Sequence, residues 1–127
     1  MYLHRQRTGT EGETAAVGYL MGHGWRVIAR NIHLGGVEVD ILGVDPGPPS
    51  TLVVVEVRSV RSDKYGPPEA KIDRAKVARL YRALAAVRSG DGPGVDNHTR
   101  SVRVDLVVVD LRTGREEVRH LRALEPA

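Results

Sequence analysis

Cysteine is absent from the 127-residue chain. That excludes a disulfide scaffold, thiol catalysis and any zinc site built on cysteine, and it suits a reducing compartment. Phenylalanine is absent too, and aromatics make up only 4% of the chain, so Val, Leu, Ile and Ala must supply the core. Long apolar runs are also missing. No stretch approaches the roughly 20 residues that cross a bilayer, and the N-terminus has no apolar signal region. A cytoplasmic protein with no membrane partner is therefore expected. Lysine is scarce: Lys64, Lys71 and Lys76 are the only ones, and arginine supplies all the other basic side chains. Abundant Gly, Ala and Val point the same way, to a genome biased toward GC-rich codons. That bias gives an arginine in place of a lysine a plain explanation at almost any position.

What is present points to one globular domain over residues 1–127. Hydrophobic residues reach 41%, enough for a core in a chain of this size. The net charge of +3 permits nucleic-acid binding without requiring it, so the placement of the cations matters more than their sum. Residues 1–8 are polar and basic and read as a loose N-terminal arm. Helical spacing of Ala16, Val17 and Leu20 predicts a helix from Thr10 to about His23, with Gly24 as its stop. Strands are expected over Trp25–Asn31, Val37–Val44 and Thr51–Ser59. Gly35-Gly36 reads as a hairpin turn, and the stretch from Asp45 to Ser50 as a second turn. The segment Val60–Glu69 reads as a loop. Val77, Leu80, Leu84 and Val87 predict a long helix over Ala70–Arg88 with those four facing the core. After a loop to Arg100, strands follow at Val102–Leu111 and Glu117–Leu121. The order α-β-β-β-α-β-β predicts an α/β fold, one sheet with helices packed against it. Apolar runs such as Leu52–Val55 predict that both faces are covered.

Strand alternation organises the acids. In the second strand Glu38, Asp40 and Leu42 share one face, and Val37, Val39 and Ile41 the other. In the third, Leu52, Val54, Glu56 and Arg58 share a face opposite Val53, Val55 and Val57. If the two strands pair antiparallel, Asp40 and Glu56 approach each other with Arg58 alongside. Two carboxylates brought together in a valine-rich sheet repel unless a cation lies between them, and carboxylate oxygens suit Mg²⁺ or Mn²⁺. On the first helix Glu13 shares the face of Ala16, Val17 and Leu20 and should point inward, while Glu11 points to solvent. An internal ion pair is the competing reading of these acids and Arg58. The five histidines, His4, His23, His33, His98 and His120, show no metal spacing and read mostly as surface residues.

The motifs Gly9-x-x-Gly12-Glu13-x-x-Ala16-x-x-Tyr19-Leu20, Gly24-Trp25-x-Val27-Ile28-x-Arg30-Asn31, Glu38-Val39-Asp40-Ile41-Leu42 and Val54-Val55-Glu56-Val57-Arg58 resemble the YraN-like family of small bacterial proteins. Tyr65-Gly66-x-Pro68, Lys76-x-x-x-Leu80 and Val104-Asp105-Leu106-Val107 extend the resemblance, which covers roughly residues 7–111. That family is similar to the PD-(D/E)XK nuclease superfamily and, within it, to archaeal Holliday-junction resolvases. The resemblance implies a restriction-endonuclease-like mixed sheet flanked by helices and a Mg²⁺-dependent endonuclease acting on DNA, including branched DNA. It makes Asp40 the superfamily's aspartate, Glu56 its second acid and Glu13 an extra acid. The superfamily's proline before the aspartate is replaced by Val39. Resolvase-like proteins need two sites, which points to a homodimer.

Arg58 stands where the family has lysine. Arginine stabilises charge but, with a pKa above about 12, does not act as a base. Three readings stay open: Arg58 works as a variant, Lys71 or Lys76 substitutes for it, or the site is inactive and the chain only binds nucleic acid. Lys71, Arg74 and Arg82 share one face of the long helix, Lys76 and Arg79 form an adjacent stripe, and Arg61 and Lys64 lie in the preceding loop. These cations could neutralise phosphates, or they could be an ordinary solvated face.

Overall fold

The computed structural model describes residues 2–62, 73–90 and 101–125. Helix α1 spans Tyr2–Gly22, strands β1, β2 and β3 span Arg26–Leu34, Val37–Asp45 and Thr51–Val60, helix α2 spans Arg74–Arg88, and strands β4 and β5 span Ser101–Asp110 and Glu117–Leu121. The expected order α-β-β-β-α-β-β is the observed one. The five strands form one mixed sheet in sequence order, β1-β2-β3-β4-β5. Only β3 and β4 are parallel. Parallel neighbours need a long crossover, and α2 lies within it.

Alternation along β3 explains why an unbroken apolar run is needed there. Leu52 and Val54 pack with Leu80, Ala83, Leu84 and Val87 of α2. Val53 and Val55 pack with Ala16 and Leu20 of α1. Both faces are therefore dry, and each such side chain contributes about 1.5–3 kcal/mol by leaving water. The four α2 positions chosen by their spacing are all buried.

Three expectations are corrected. Helix α1 starts at Tyr2 rather than near Thr10, so most of the expected arm is helical; it contains no proline, and Leu3, Arg5, Gln6 and Arg7 are all good helix formers. Helix α2 starts at Arg74 rather than Ala70, because Asp73 is extended and its carboxylate accepts the Ala75 N–H, the usual role of an N-cap aspartate. Third, Val37 and Val39 join the α2 side while Ile41 joins the α1 side, so strict alternation fails in β2. The cause lies across the ladder. Arg30 pairs with Ile41 and Ile32 with Val39. Asn31 between them has φ 49°, a left-handed conformation that Asn tolerates better than most residues. The pleat changes face there, opposite Asp40. The Gly35-Gly36 hairpin turn is as expected, with φ of 57° and 77°.

A buried polar cluster pins β5 and the segment after it to the sheet. Asp105 is fully buried. Its carboxylate accepts Arg103 Nε at 2.8 Å and Nη2 at 2.9 Å, and the Ala123 N–H at 3.0 Å. His120 Nε2 lies 2.8 Å from the same carboxylate. Burial opposes its charge, but His120 and Arg103 hold the carboxyl below the usual range. Asp45 takes a second bond from Arg103, at 2.8 Å. His120 is thus not a surface residue: it packs against Tyr19 and Trp25. Among the described residues, no helix is long and apolar enough to cross a membrane.

Replacing Asp105 with Ala leaves Arg103 and His120 without their shared partner. Removing one member of a buried ion pair costs about 3–5 kcal/mol. A urea unfolding series should show that loss; a midpoint within error of wild type would mean that the cluster does not fasten β5.

Candidate metal and phosphodiester site

The candidate site forms where β2 parts from β3. The last β2–β3 pair is Ile41 with Val55, whereas β3 stays paired with β4 as far as Val60. The next N–H on β3, that of Val57, would be orphaned on its β2 side. It donates instead to Asp40 Oδ2 at 2.8 Å. This bond holds Asp40 close enough to Glu56 for the two carboxyl groups to oppose each other's charge. Burial first, then the neighbouring Asp40, push the Glu56 carboxyl up to about 7, while Lys76 and Arg58 oppose the rise.

Glu13 approaches from α1. It is only 8% exposed, as its helical spacing predicted. Burial chiefly, and then the charge of Asp40, raise its pKa; Arg30 and a hydrogen bond from Asn31 act against the rise. Arg30 Nε is 3.9 Å from Glu13 Oε1, too far for a hydrogen bond, and that oxygen is buried without a hydrogen-bond partner. Close helix–sheet approach makes the placement possible. A Cβ on Gly12 would stand 1.9 Å from Ser59 Oγ and 3.3 Å from Ser59 Cβ.

Two cations face Glu56. Arg58 Nη2 lies 3.8 Å and Lys76 Nζ 3.5 Å from Glu56 Oε2. Arg61 is turned away, in an exposed ion pair with Glu11. Arg74, Arg79 and Arg82 are exposed on α2. Lys64 and Lys71 lie outside the described residues. The structure thus brings Asp40, Glu56, Arg58 and Lys76 together with Glu13 next to Asp40. Residue reasoning did not single out Asn31 and Arg30, which attend Glu13. Their signal was two adjacent polar residues in the middle of β1, between Ala29 and Ile32.

The donor set fits a hard divalent cation. Asp40 and Glu56 offer neighbouring carboxyl oxygens, with the Glu56 carboxyl raised by burial and by Asp40, and Glu13 adds a buried oxygen with no hydrogen-bond partner. Among the described residues, no three His, Cys, Asp or Glu side chains form a ready-made metal cage. The fit therefore rests on the Asp40–Glu56 pair, with Glu13 adjacent.

Gly12 gives a packing test of this site. Gly12→Ala requires only a turn of the Ser59 hydroxyl and a small shift, whereas Gly12→Val forces α1 away from β3. The valine variant should lose about 1–3 kcal/mol of stability, the usual cost of overpacking, and more than the alanine variant. Equal stability of the two in thermal unfolding would refute the close approach.

The sequence pattern of uncharacterised protein family UPF0102 matches residues 12–109. A UPF0102 protein of Mycolicibacterium vanbaalenii is 37% identical over 123 residues, covering 94% of each chain. One from Bifidobacterium longum subsp. infantis is 40% identical over 113 residues, covering 89% of this chain and 88% of its own. A third, from Persephonella marina, is 45% identical over 74 residues, which are 58% of this chain and 61% of that one. On this extent of match the chain belongs to uncharacterised protein family UPF0102.

Proposed function

We propose that this protein is a Mg²⁺- or Mn²⁺-dependent endonuclease acting on DNA, with a restriction-endonuclease-like site similar to those of PD-(D/E)XK nucleases. The observation that carries the reading is the pair of neighbouring acids, Asp40 held by the Val57 N–H and Glu56 with a raised pKa, at the point where β2 leaves β3. Asp40 and Glu56 would hold the ion, with Glu13 alongside. A divalent ion there would polarise a phosphate oxygen and lower the pKa of a bound water. The chain's residues account for the rest. The Val57 N–H orients Asp40, Glu56 would release its proton to solvent as it became a ligand, and Arg58 would offset charge on the phosphate without serving as a base. The exposed Arg74, Arg79 and Arg82 of α2 suit backbone contacts, which position a duplex without reading its sequence. Branched DNA is the leading substrate class, by the similarity to junction resolvases. A homodimer would present two sites to it.

Arg58 favours a second reading, a nucleic-acid-binding domain without catalysis, because its guanidinium lies 3.8 Å from Glu56 where the family carries an ammonium.

Incubation of the pure protein with branched, flapped and single-stranded DNA in Mg²⁺ or Mn²⁺ separates the two. Cleavage by the wild type should fall at least about 100-fold in Asp40→Ala, a loss of several kcal/mol of charge stabilisation. An inert wild type whose Arg58→Lys variant cleaves would favour the binding domain. Cleavage unaffected by Asp40→Ala would remove this site from the reaction.

A further inference from the structure

Glu56 carries two basic neighbours of different kinds. Arg58 belongs to its own strand, and its planar head is held at 3.8 Å. Lys76 comes from the opposite side, on the first turn of α2, and its ammonium reaches the same Oε2 at 3.5 Å. The backbone beneath Lys76 is well fixed. Asp73 caps the helix start, and the next residue, Val77, is buried against the sheet. Both contacts exceed the roughly 2.7–2.9 Å of a tight charge-assisted bond, so Lys76 is a loosely held counter-charge rather than a locked partner. Its side chain is 29% exposed and flexible in kind, a four-carbon stem carrying a compact ammonium.

These facts bear on the position occupied by Arg58. A guanidinium is broad and planar, whereas an ammonium is a compact point charge on a flexible stem. The site therefore lacks a compact cation from β3 and has one from α2. We propose that Lys76 is the mobile cation of this site: it neutralises Glu56 while no metal is bound, and turns to the scissile phosphate when a divalent ion takes over the carboxylates. This rests on the nuclease reading above. Electrostatics drives the exchange. A divalent ion on Glu56 repels the ammonium beside it, and an incoming phosphate attracts it. An ammonium already near a ligand oxygen is within side-chain reach of an anion bound next to that oxygen. Arg58, a broad planar group on the strand that carries Glu56, would stabilise charge from its own side of the site.

Competition between Lys76 and the metal gives the proposal two readouts. Lys76→Met keeps the length of the side chain and removes its charge. Calorimetric titration with Mn²⁺ in the absence of DNA should show binding about 3- to 10-fold tighter in Lys76→Met than in wild type. Single-turnover cleavage of a branched DNA at saturating Mn²⁺ should be at least about 10-fold slower. Asp40→Asn serves as the control and should abolish Mn²⁺ binding. If wild type binds Mn²⁺, Asp40→Asn does not, and Lys76→Met matches wild type in either affinity or cleavage, the role of Lys76 is overturned while the metal site stands. If neither wild type nor Lys76→Met binds Mn²⁺, the metal-site reading itself fails. Far-UV circular dichroism of Lys76→Met should match wild type, since the side chain belongs to none of the three apolar clusters.

Discussion

The hydrogen bond from the Val57 N–H to the Asp40 carboxylate sets the geometry on which the candidate site depends. A sheet strand whose neighbour departs leaves N–H groups unpaired, and a buried unpaired N–H is costly. Here a side chain from the departing strand takes the place of the lost backbone partner. One bond therefore does two things: it closes the sheet edge beyond Ile41 and Val55, and it fixes a carboxylate next to Glu56. The kink at Asn31, opposite Asp40, belongs to the same arrangement. Regular alternation would put Asp40 on the face of Leu42, beneath α2. The change of face frees it to lie between Glu13 on one side and Glu56 on the other.

Charge balance follows from that placement. Three acids converge at a valine-rich boundary, and each brings a local compensation. Glu56 keeps a proton and faces Lys76 and Arg58. Asp40 has the Val57 N–H. Glu13 has the distant Arg30 and a hydrogen bond from Asn31, yet one of its oxygens stays without a hydrogen-bond partner. The Asp105 cluster, by contrast, pairs its acid with arginine, histidine and a backbone N–H at 2.8–3.0 Å, and the atom it leaves without a hydrogen-bond partner is His120 Nδ1 rather than a carboxylate oxygen. Around Asp40 it is a carboxylate oxygen, Glu13 Oε1, that is left without a hydrogen-bond partner, and Glu56 has its cations only at 3.5 and 3.8 Å. An acceptor left open in this way suits a cation, whereas an open imidazole nitrogen does not.

Much of this was legible in the residues. Alternation placed Glu56 and Arg58 on the face of Leu52 and Val54, and helical spacing turned Glu13 inward, because packing in β3 and α1 follows the backbone period without interruption. The helix and strand order was readable for the same reason. Alternation failed in β2, where a left-handed Asn31 on the neighbouring strand reverses the pleat; that information lies in the pairing and not in the β2 sequence. His120 was also misread. A lone histidine on a short edge strand looks like a surface residue until α1 brings Tyr19 over it and β4 presents Asp105. In sequence Lys76 stood beside Lys71 as a possible substitute for the motif lysine. Only the crossover of α2 over β3 distinguishes it by bringing it to Glu56.

The account stands on a Glu56 carboxyl, raised by burial and by the neighbouring Asp40, whose proton a divalent ion displaces. Because the Glu56 carboxyl is raised to about 7, it is mostly protonated below that pH and ionised above it. Metal binding should then be weaker at low pH and should release protons. Calorimetric Mn²⁺ titration in buffers of different ionisation enthalpy counts them directly. The account predicts release of nearly one proton per ion at pH about 6, falling toward zero by pH about 9. Mn²⁺ binding with no proton release at either pH, or no binding at all, would contradict it.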